Sequence, residues 1–149
     1  LVINSMAGFV LAWGSLRITV DADGVRRAVK FSFVEGDNAG EIVFDRVLIE
    51  QLPRGVVTVA VRGQAVINDA TREDALVAGL PEVAEVIDNG SAMPGTVLAD
   101  CSPAFRRRFA EADLVIAKGQ GNYESLHAER APLFCLFRVK CAIVATHCG

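Results

Sequence analysis

The chain alternates between short apolar runs, rich in β-branched residues, and segments with helical spacing. Four of the apolar runs end in glycine or in a polar cluster and are predicted to be strands: 29–35, 56–61, 83–87 and 114–117. The spacing between them predicts helices over residues 41–52, roughly 71–79 and roughly 103–112. Near-continuous apolar strands that alternate with helices are typical of a parallel sheet covered on both faces.

The pattern therefore predicts a single α/β domain over residues 28–149, a three-layer α/β/α Rossmann-like fold with a mostly parallel sheet. The apolar tail, residues 132–147, is expected to add one or two more strands. Residues 1–27 form an atypical N-terminal segment. Its apolar part, 1–16, has no basic start and is too short and too interrupted for a membrane span or a secretory signal.

The stretch 36–45 follows the first predicted strand and includes the start of the first predicted helix. It places Asp37 and Asn38 at the carboxyl end of a strand, where ligands bind in open α/β sheets, and beside a helix N-terminus, which favours anions. Carboxylate and amide oxygens suit Mg²⁺ or Mn²⁺ better than Zn²⁺. An alternative of equal weight is that the two side chains only cap the helix.

Polar residues also follow the other three predicted strands. Because the carboxyl ends of parallel strands meet at one edge of a sheet, these loops are expected to converge. The converging set is Asp37, Asn38, Asp69, Asn89, Ser91, Lys118 and Asn122. Oxygen ligands, a lysine and glycine-rich loops together favour a hard divalent cation and a phosphoryl group. They support phosphoryl chemistry in which the cation acts as Lewis acid and activates a water molecule.

Competing motifs do not fit the spacing. Lys118 precedes the nearby glycines, unlike the lysine of a Walker A loop, and Glu124 stands where a dinucleotide fingerprint has its third glycine. Haloacid-dehalogenase-type phosphatases have a second aspartate where this chain has Ala39, which disfavours a covalent aspartyl-phosphate on Asp37. There is no GxSxG motif, and neither His127 nor His147 is assigned a role.

The composition and the net charge limit the classes of partner that the protein is expected to bind. A chain of 149 residues with 52% apolar content is sufficient for one core. The net charge of −3 gives no electrostatic footprint for nucleic acid or for an anionic membrane. The four cysteines show neither CxxC nor zinc-finger spacing, so each is expected to be a reduced, buried thiol in a cytoplasmic protein.

Four motifs carry a family resemblance. They are Asp-Asn-Ala-Gly-Glu-Ile (37–42), Ile-Asn-Asp-Ala-Thr (67–71), Ile-Asp-Asn-Gly-Ser (87–91) and Lys-Gly-Gln-Gly-Asn-Tyr-Glu (118–124). In this order they resemble the metal-dependent damage-control phosphatases, also called acidic residue methyltransferase-like proteins or domain of unknown function eighty-nine. The resemblance runs from about residue 34 to 147 and is closest to the stand-alone prokaryotic branch. It implies a Rossmann-like domain that hydrolyses phosphate monoesters, notably sugar phosphates and damaged phosphometabolites.

The resemblance also implies a site. Equivalents of Asp37, Asn38 and Asp69 would hold Mn²⁺, Co²⁺, Ni²⁺ or Mg²⁺, and Lys118 would lie near the phosphate of a small phosphorylated metabolite. Asp37 and Lys118 are therefore the predicted catalytic residues. The predicted phosphate-binding residues are Asn89, Gly90, Ser91, Lys118, Gly119 and Asn122.

One departure from the family affects this expectation. Family members carry a helical domain before the first motif, which helps to close the substrate pocket, and the 36 residues found there in this chain do not resemble it. Substrate choice and turnover are therefore expected to be impaired, because orientation and water exclusion depend on such a cover. Two alternatives stay open. One is a non-catalytic remnant that binds a metal, a phosphometabolite or a partner protein. The other is a methyltransferase, which rests on fold analogy and on the older name of the family.

Overall fold

The structure is a computed structural model that describes the backbone of residues 32–35 together with residues 38–52 and 57–148. Within these ranges the strands are β1 (Ser32–Glu35), β2 (Val57–Val61), β3 (Glu85–Asp88), β4 (Leu114–Lys118) and β5 (Leu133–Leu136). The helices are α1 (Ile42–Ile49), α2 (Arg72–Val77), a 3₁₀-helix (Leu80–Glu82), α3 (Pro103–Glu111), α4 (Gln120–Leu126) and α5 (Ala142–Cys148). The predicted N-terminal segment, 1–27, lies outside the described residues.

The five strands form one sheet in the order β3-β2-β1-β4-β5, and all four pairings are parallel. The predicted parallel α/β sheet is confirmed. The strand order reverses at β1, whose neighbours are β2 on one side and β4 on the other. In open sheets of this kind the ligand crevice lies beyond the carboxyl ends of the strands at such a reversal. The loops that follow β1 and β4 therefore border the expected binding position.

Two apolar clusters cover opposite faces of the sheet, because alternate residues of a strand point to opposite sides. On one face Val57, Val59 and Val61 of β2 pack with residues of α1 and α2. On the other face Ala60 of β2 joins residues of β4, α3 and α4. The second cluster comprises Ala60, Cys101, Phe105, Phe109, Ala112, Val115, Ala117 and Leu126. The helices on both sides thus fix the strand ends that carry the polar loops.

The tail contains one strand, β5, in agreement with the predicted one or two strands, and it then continues into the helix α5. A short apolar run does not distinguish strand from helix by its periodicity. In α5 only Val144 is buried, and Ile143 is 82% exposed. The apolar character of this segment therefore reflects one packed position and not a buried strand.

The four cysteines are free thiols, as expected. The expectation that each is buried is right for Cys101 and wrong for Cys141, which is exposed. Cys135 and Cys148 are partly buried. Cys141 lies directly before α5, whose outer side faces solvent, so the apolar sequence around it does not bury it.

In the part of the chain that the structure describes, no helix combines the length and the apolar character needed to cross a membrane.

The start of α2 is fixed by a carboxylate. Asp74 Oδ2 accepts hydrogen bonds from the backbone N–H of Thr71, at 2.8 Å, and from its hydroxyl, at 2.7 Å. These two hydrogen bonds, the backbone one first, lower the pKa of Asp74 below its ordinary value. The chain thereby satisfies an N–H group that the first turn of the helix leaves without a helical partner.

Replacing Asp74 with alanine is expected to lower the free energy of unfolding by about 1 kcal/mol at neutral pH. Because the pKa is lowered in the folded state, this contribution is complete above the ordinary Asp value, near pH 4, and is lost as the pH falls through the folded-state value. Urea unfolding of wild type and variant at neutral pH and in acid measures the difference. A difference that stays the same in acid would contradict this account.

Candidate functional site

The loops that follow β1 and β2 lie side by side. Asn38 and Asp69 form an antiparallel bridge, and the N–H of Ala39 donates to the carbonyl of Asn68 at 2.9 Å. The side-chain amide of Asn68 donates to Asn38 Oδ1. Two of the three predicted metal ligands are therefore adjacent, although they come from different loops. The third, Asp37, lies outside the described residues.

The alternative interpretation, that Asp37 and Asn38 only cap α1, is not supported for Asn38, and Asp37 lies outside the described residues. The residue in the N-cap position is Glu41, and no side chain caps the helix there. Asn38 contributes its backbone carbonyl, which accepts from the N–H groups of Glu41 and Ile42 at 3.0 and 3.2 Å. Its side-chain Nδ2 donates to Glu41 Oε1 at 3.1 Å. The Asn38 side chain thus belongs to a polar cluster at the sheet edge.

Lys118 is the last residue of β4 and reaches the same cluster. Its Nζ lies 2.5 Å from Asp45 Oδ1 and 3.9 Å from Glu41 Oε2. Because Glu41 also accepts the hydrogen bond from Asn38, it connects the predicted metal ligand to the predicted phosphate-binding lysine. Lys118 and the Asn38–Asp69 pair therefore lie at one edge of the sheet, on either side of the position where the strand order reverses.

Asp45 occupies the buried side of α1 together with Ile42, Leu48 and Ile49, and it is 2% exposed. Burial raises the pKa of its carboxyl group, and the positive charge of Lys118 opposes this rise. Its second oxygen, Oδ2, is buried without a hydrogen-bond partner among the described residues. Such an unsatisfied atom costs about 1–3 kcal/mol. A buried carboxylate of this kind is typical of functional sites.

Arg62 follows β2 directly and orients Asp69. Its guanidinium is almost completely buried and donates from Nε to Asp69 Oδ2 at 2.7 Å. From Nη1 and Nη2 it donates to Thr96 Oγ1 and Asn122 Oδ1, both at 2.9 Å. Arg62 therefore joins the loop after β2, the loop after β3 and helix α4. Arg62 contacts one carboxylate oxygen of Asp69, Oδ2, and thereby fixes the orientation of this side chain.

The loops after β2 and β3 are in contact through their backbones. A Cβ atom on Gly63 would lie 2.6 Å from the Gly90 backbone, so only glycine fits there, and Gly90 itself has a φ of +75°. Asn89 Oδ1 accepts from the N–H groups of Gly63 and Ser91 at 3.0 and 2.9 Å. Asn89 is completely buried, and its Nδ2 has no hydrogen-bond partner among the described residues. This nitrogen is a donor held in a fixed orientation.

Other predicted phosphate-binding residues already have protein partners. The Ser91 hydroxyl donates to Asp100 Oδ2 at 2.5 Å, and the N–H of Gly119 donates to the Leu136 carbonyl at 3.0 Å. Asn122 Nδ2 donates to the Lys118 carbonyl at 2.8 Å. These contacts position the ends of β3 and β4. The phosphate-binding roles of Ser91, Gly119 and Asn122 stay predictions.

Sequence reasoning missed Glu41, Asp45 and Arg62. A signal existed for two of them. Asp45 lies three residues after Ile42 and three before Leu48, which is the spacing of a buried helical side, and Arg62 follows a strand whose five residues are all buried. A charged residue at either position has to be paired with another group. The sequence contains no such signal for Glu41, whose side chain is half exposed.

Comparison with known proteins places these residues in a family context. Residues 25–149 match the model of the damage-control phosphatase ARMT1-like domain. The chain is 44% identical over 119 residues to an uncharacterized protein of Methanocaldococcus jannaschii. It is 39% identical over 117 residues to a damage-control phosphatase of Archaeoglobus fulgidus and 39% identical over 125 residues to one of Pyrococcus horikoshii. These alignments cover 76%, 76% and 81% of this chain.

The chain spans less than half of the length of these relatives: 39%, 41% and 43%, in the same order. Among solved structures, it is similar to a crystal structure of a DUF89 family protein from Pyrococcus horikoshii, with a TM-score of 0.75 and 38% sequence identity. That similarity covers 80% of this chain and 43% of the other. The fold described above is thus shared with a relative of clear sequence similarity.

Proposed function

This chain belongs to the family of damage-control phosphatase ARMT1-like domains, and we propose on that basis that it hydrolyses phosphate monoesters with a divalent metal ion. The proposed substrates are small phosphorylated metabolites, namely sugar phosphates or damaged phosphometabolites. We also propose the finer classification of the fold as a three-layer Rossmann-like domain, which the strand order and the two apolar clusters support. The free thiols are compatible with a cytoplasmic location, which is part of the same proposal.

One observation carries the proposal: Lys118 and the Asn38–Asp69 pair lie at the same carboxyl edge, where the strand order reverses. Oxygen donors and a lysine are thereby brought to opposite sides of one crevice. A phosphate monoester needs both, because its oxygens have to be bound by a metal ion and by a positively charged side chain.

The residues present fit a hard divalent cation. Asn38 and Asp69 provide amide and carboxylate oxygens, the donors that Mg²⁺ and Mn²⁺ prefer, and Arg62 holds Asp69 in orientation. Within residues 38–52 and 57–148, no group of three or more His, Cys, Asp or Glu side chains is arranged to hold a metal ion. The proposed site is instead mixed, with Asn38, Asp69 and Asp37 as ligands, and Asn38 Oδ1 would exchange its contact with Asn68 for the cation.

Each side chain of the site has a distinct proposed task. When bound, the cation supplies Lewis-acid charge to the phosphoryl oxygens and activates a water molecule. Lys118 binds the phosphoryl group from the opposite side and balances the charge that develops on it. Arg62 keeps Asp69 directed towards the cation position. The buried Asn89 amide is available as a further donor in the loop after β3.

The experiment is turnover of p-nitrophenyl phosphate by the chain after treatment with a chelator, followed by addition of Mn²⁺ or Co²⁺. We expect no turnover without metal and recovery on addition, because the metal provides the principal charge in the site. A panel of sugar phosphates then identifies the substrate class. Turnover that persists without metal would contradict the proposal. Metal binding without hydrolysis of any substrate in the panel would instead favour a non-catalytic binding domain.

A further inference from the structure

We propose that Asp45 is a positioning residue that holds the Lys118 ammonium group at the phosphate-binding edge. Asp45 lies on α1, in a helix position that packs against the sheet, and Lys118 ends β4. The contact between them, 2.5 Å from Oδ1 to Nζ, joins the two elements on either side of the crevice. The proposal therefore gives a role to a buried charge that the predicted site leaves out.

Asp45 is the stronger of the two acidic contacts of Lys118. Glu41 lies 3.9 Å from the same ammonium group, and its side chain is 53% exposed, whereas that of Asp45 is 3% exposed. A buried charge pair is screened much less by water than an exposed one. The side chain of Asn122 also contacts Lys118, but it binds the backbone carbonyl of the lysine and not its ammonium group. The position of the ammonium group thus depends on Asp45.

The unpartnered oxygen of Asp45 indicates more than a structural ion pair. Oδ2 is buried with no hydrogen-bond partner among the described residues, whereas a purely structural pair would satisfy both oxygens. An ammonium group carries three N–H donors. Lys118 is therefore able to donate one N–H to a phosphoryl oxygen while a second N–H changes its acceptor from Oδ1 to Oδ2 of Asp45. The ion pair between Asp45 and Lys118 is maintained during this rearrangement.

This inference rests on the proposed function for the role of Lys118 in binding phosphate, but it does not require that the chain hydrolyses an ester. The test is a double-mutant cycle with Asp45→Asn, Lys118→Met and the double variant. The measured quantity is the affinity for inorganic phosphate in the presence of Mg²⁺, determined by calorimetry. Glu50→Gln serves as the matched control, because Glu50 is an exposed carboxylate next to α1, paired with Arg46 at 2.9 Å and outside the site.

If Asp45 acts through Lys118, Asp45→Asn weakens phosphate binding about tenfold in the wild-type chain and less than about twofold in the Lys118→Met chain. Asp45→Glu, which keeps the charge, restores part of the loss, and Glu50→Gln changes nothing. An equal loss in both backgrounds would overturn the proposal. If the wild-type chain binds phosphate but hydrolyses no ester, the proposed function is wrong. The double-mutant cycle still tests the role of Asp45 in that case.

A second measurement serves if Asp45→Asn does not fold. Lys30, Lys118 and Lys140 are the three lysines, so selective ¹⁵N labelling gives three side-chain signals, and Lys118→Arg identifies one. In the wild-type chain the ammonium protons of Lys118 should exchange with water more slowly than those of the exposed Lys140. The side-chain signal of Lys118 should also shift when phosphate is added. Exchange as fast as that of Lys140 would refute the role of Asp45.

Discussion

Replacing Asp69 with asparagine is expected to reduce metal-dependent turnover of p-nitrophenyl phosphate at least about a hundredfold, since a metal ion contributes several kcal/mol to stabilising the transition state. Asp69 lies beside Asn38 and is the only carboxylate ligand of the proposed set within the described residues. Asparagine keeps an oxygen that accepts the hydrogen bond from Arg62, so the loop should keep its conformation. The expected decrease in turnover then results from the loss of a negative charge at the cation position.

The control for this variant is Glu50→Gln, which removes an equal charge from the exposed surface near α1. It should retain wild-type turnover. Circular dichroism and thermal unfolding establish that Asp69→Asn is folded. Turnover in a folded Asp69→Asn chain within about threefold of the wild-type rate would exclude Asp69 as a ligand, because the loss of a metal ligand costs far more.

The second large effect concerns stability. Replacing Arg62 with methionine is expected to lower the free energy of unfolding by about 3–5 kcal/mol, the usual cost of breaking a buried ion pair by removing one partner. The change leaves Asp69, Thr96 and Asn122 without the guanidinium that joins them. Lysine should not rescue the variant, because it lacks the planar arrangement of donors that contacts three residues at once. Urea unfolding measures the loss.

Arg72→Met is the matched control for Arg62→Met. Arg72 also forms a short ion pair, 2.6 Å from Asp88, but the two side chains are 55% and 36% exposed. Exposed ion pairs contribute between zero and about 1 kcal/mol, so this variant should be nearly as stable as the wild type. If both variants lost the same amount, the buried network around Arg62 would not be what holds the loops together.

The parallel sheet and the polar loops at its edge were predictable from sequence because both depend on local pattern. Apolar runs that alternate with helical spacing favour a parallel sheet, and in such a sheet the loops after the strands converge. The adjacency of Asn38 and Asp69 and the placement of Lys118 at the same edge follow from this rule. The pairing of particular side chains across that edge does not follow from it, since it depends on distances in three dimensions.

Helix α1 shows where the pattern misleads. Its sequence is apolar almost throughout, yet Phe44 and Val43 are 69% and 54% exposed while Asp45 is buried. Hydrophobicity alone places Phe44 inside and Asp45 outside. The observed arrangement arises because the helix turns the side that contains Ile42 and Leu48 towards the sheet, and Asp45 lies on that side opposite Lys118. The energetic cost of a buried carboxylate is offset by a charge from another element.

The burial of Arg62 was not predicted for a related reason. Arg62 follows a strand and has the position of the first polar residue of a loop, where arginine is usually solvated. Its burial depends on three acceptors, Asp69, Thr96 and Asn122, which are distant in sequence. The buried strand before Arg62 indicates that the arginine needs a partner, but no local pattern identifies these three residues. The residues of the proposed site were thus easier to predict than the residues that hold them in place.

The most direct test of the central claim is a crystal structure of the chain grown with Mn²⁺ and phosphate, with the ion located by its anomalous scattering. We predict one Mn²⁺ within direct coordination distance of the Asn38 and Asp69 side-chain oxygens, and a phosphate between this ion and Lys118. Mn²⁺ bound elsewhere with that position empty, or a phosphate on the far side of the sheet from Lys118, would contradict the proposed site.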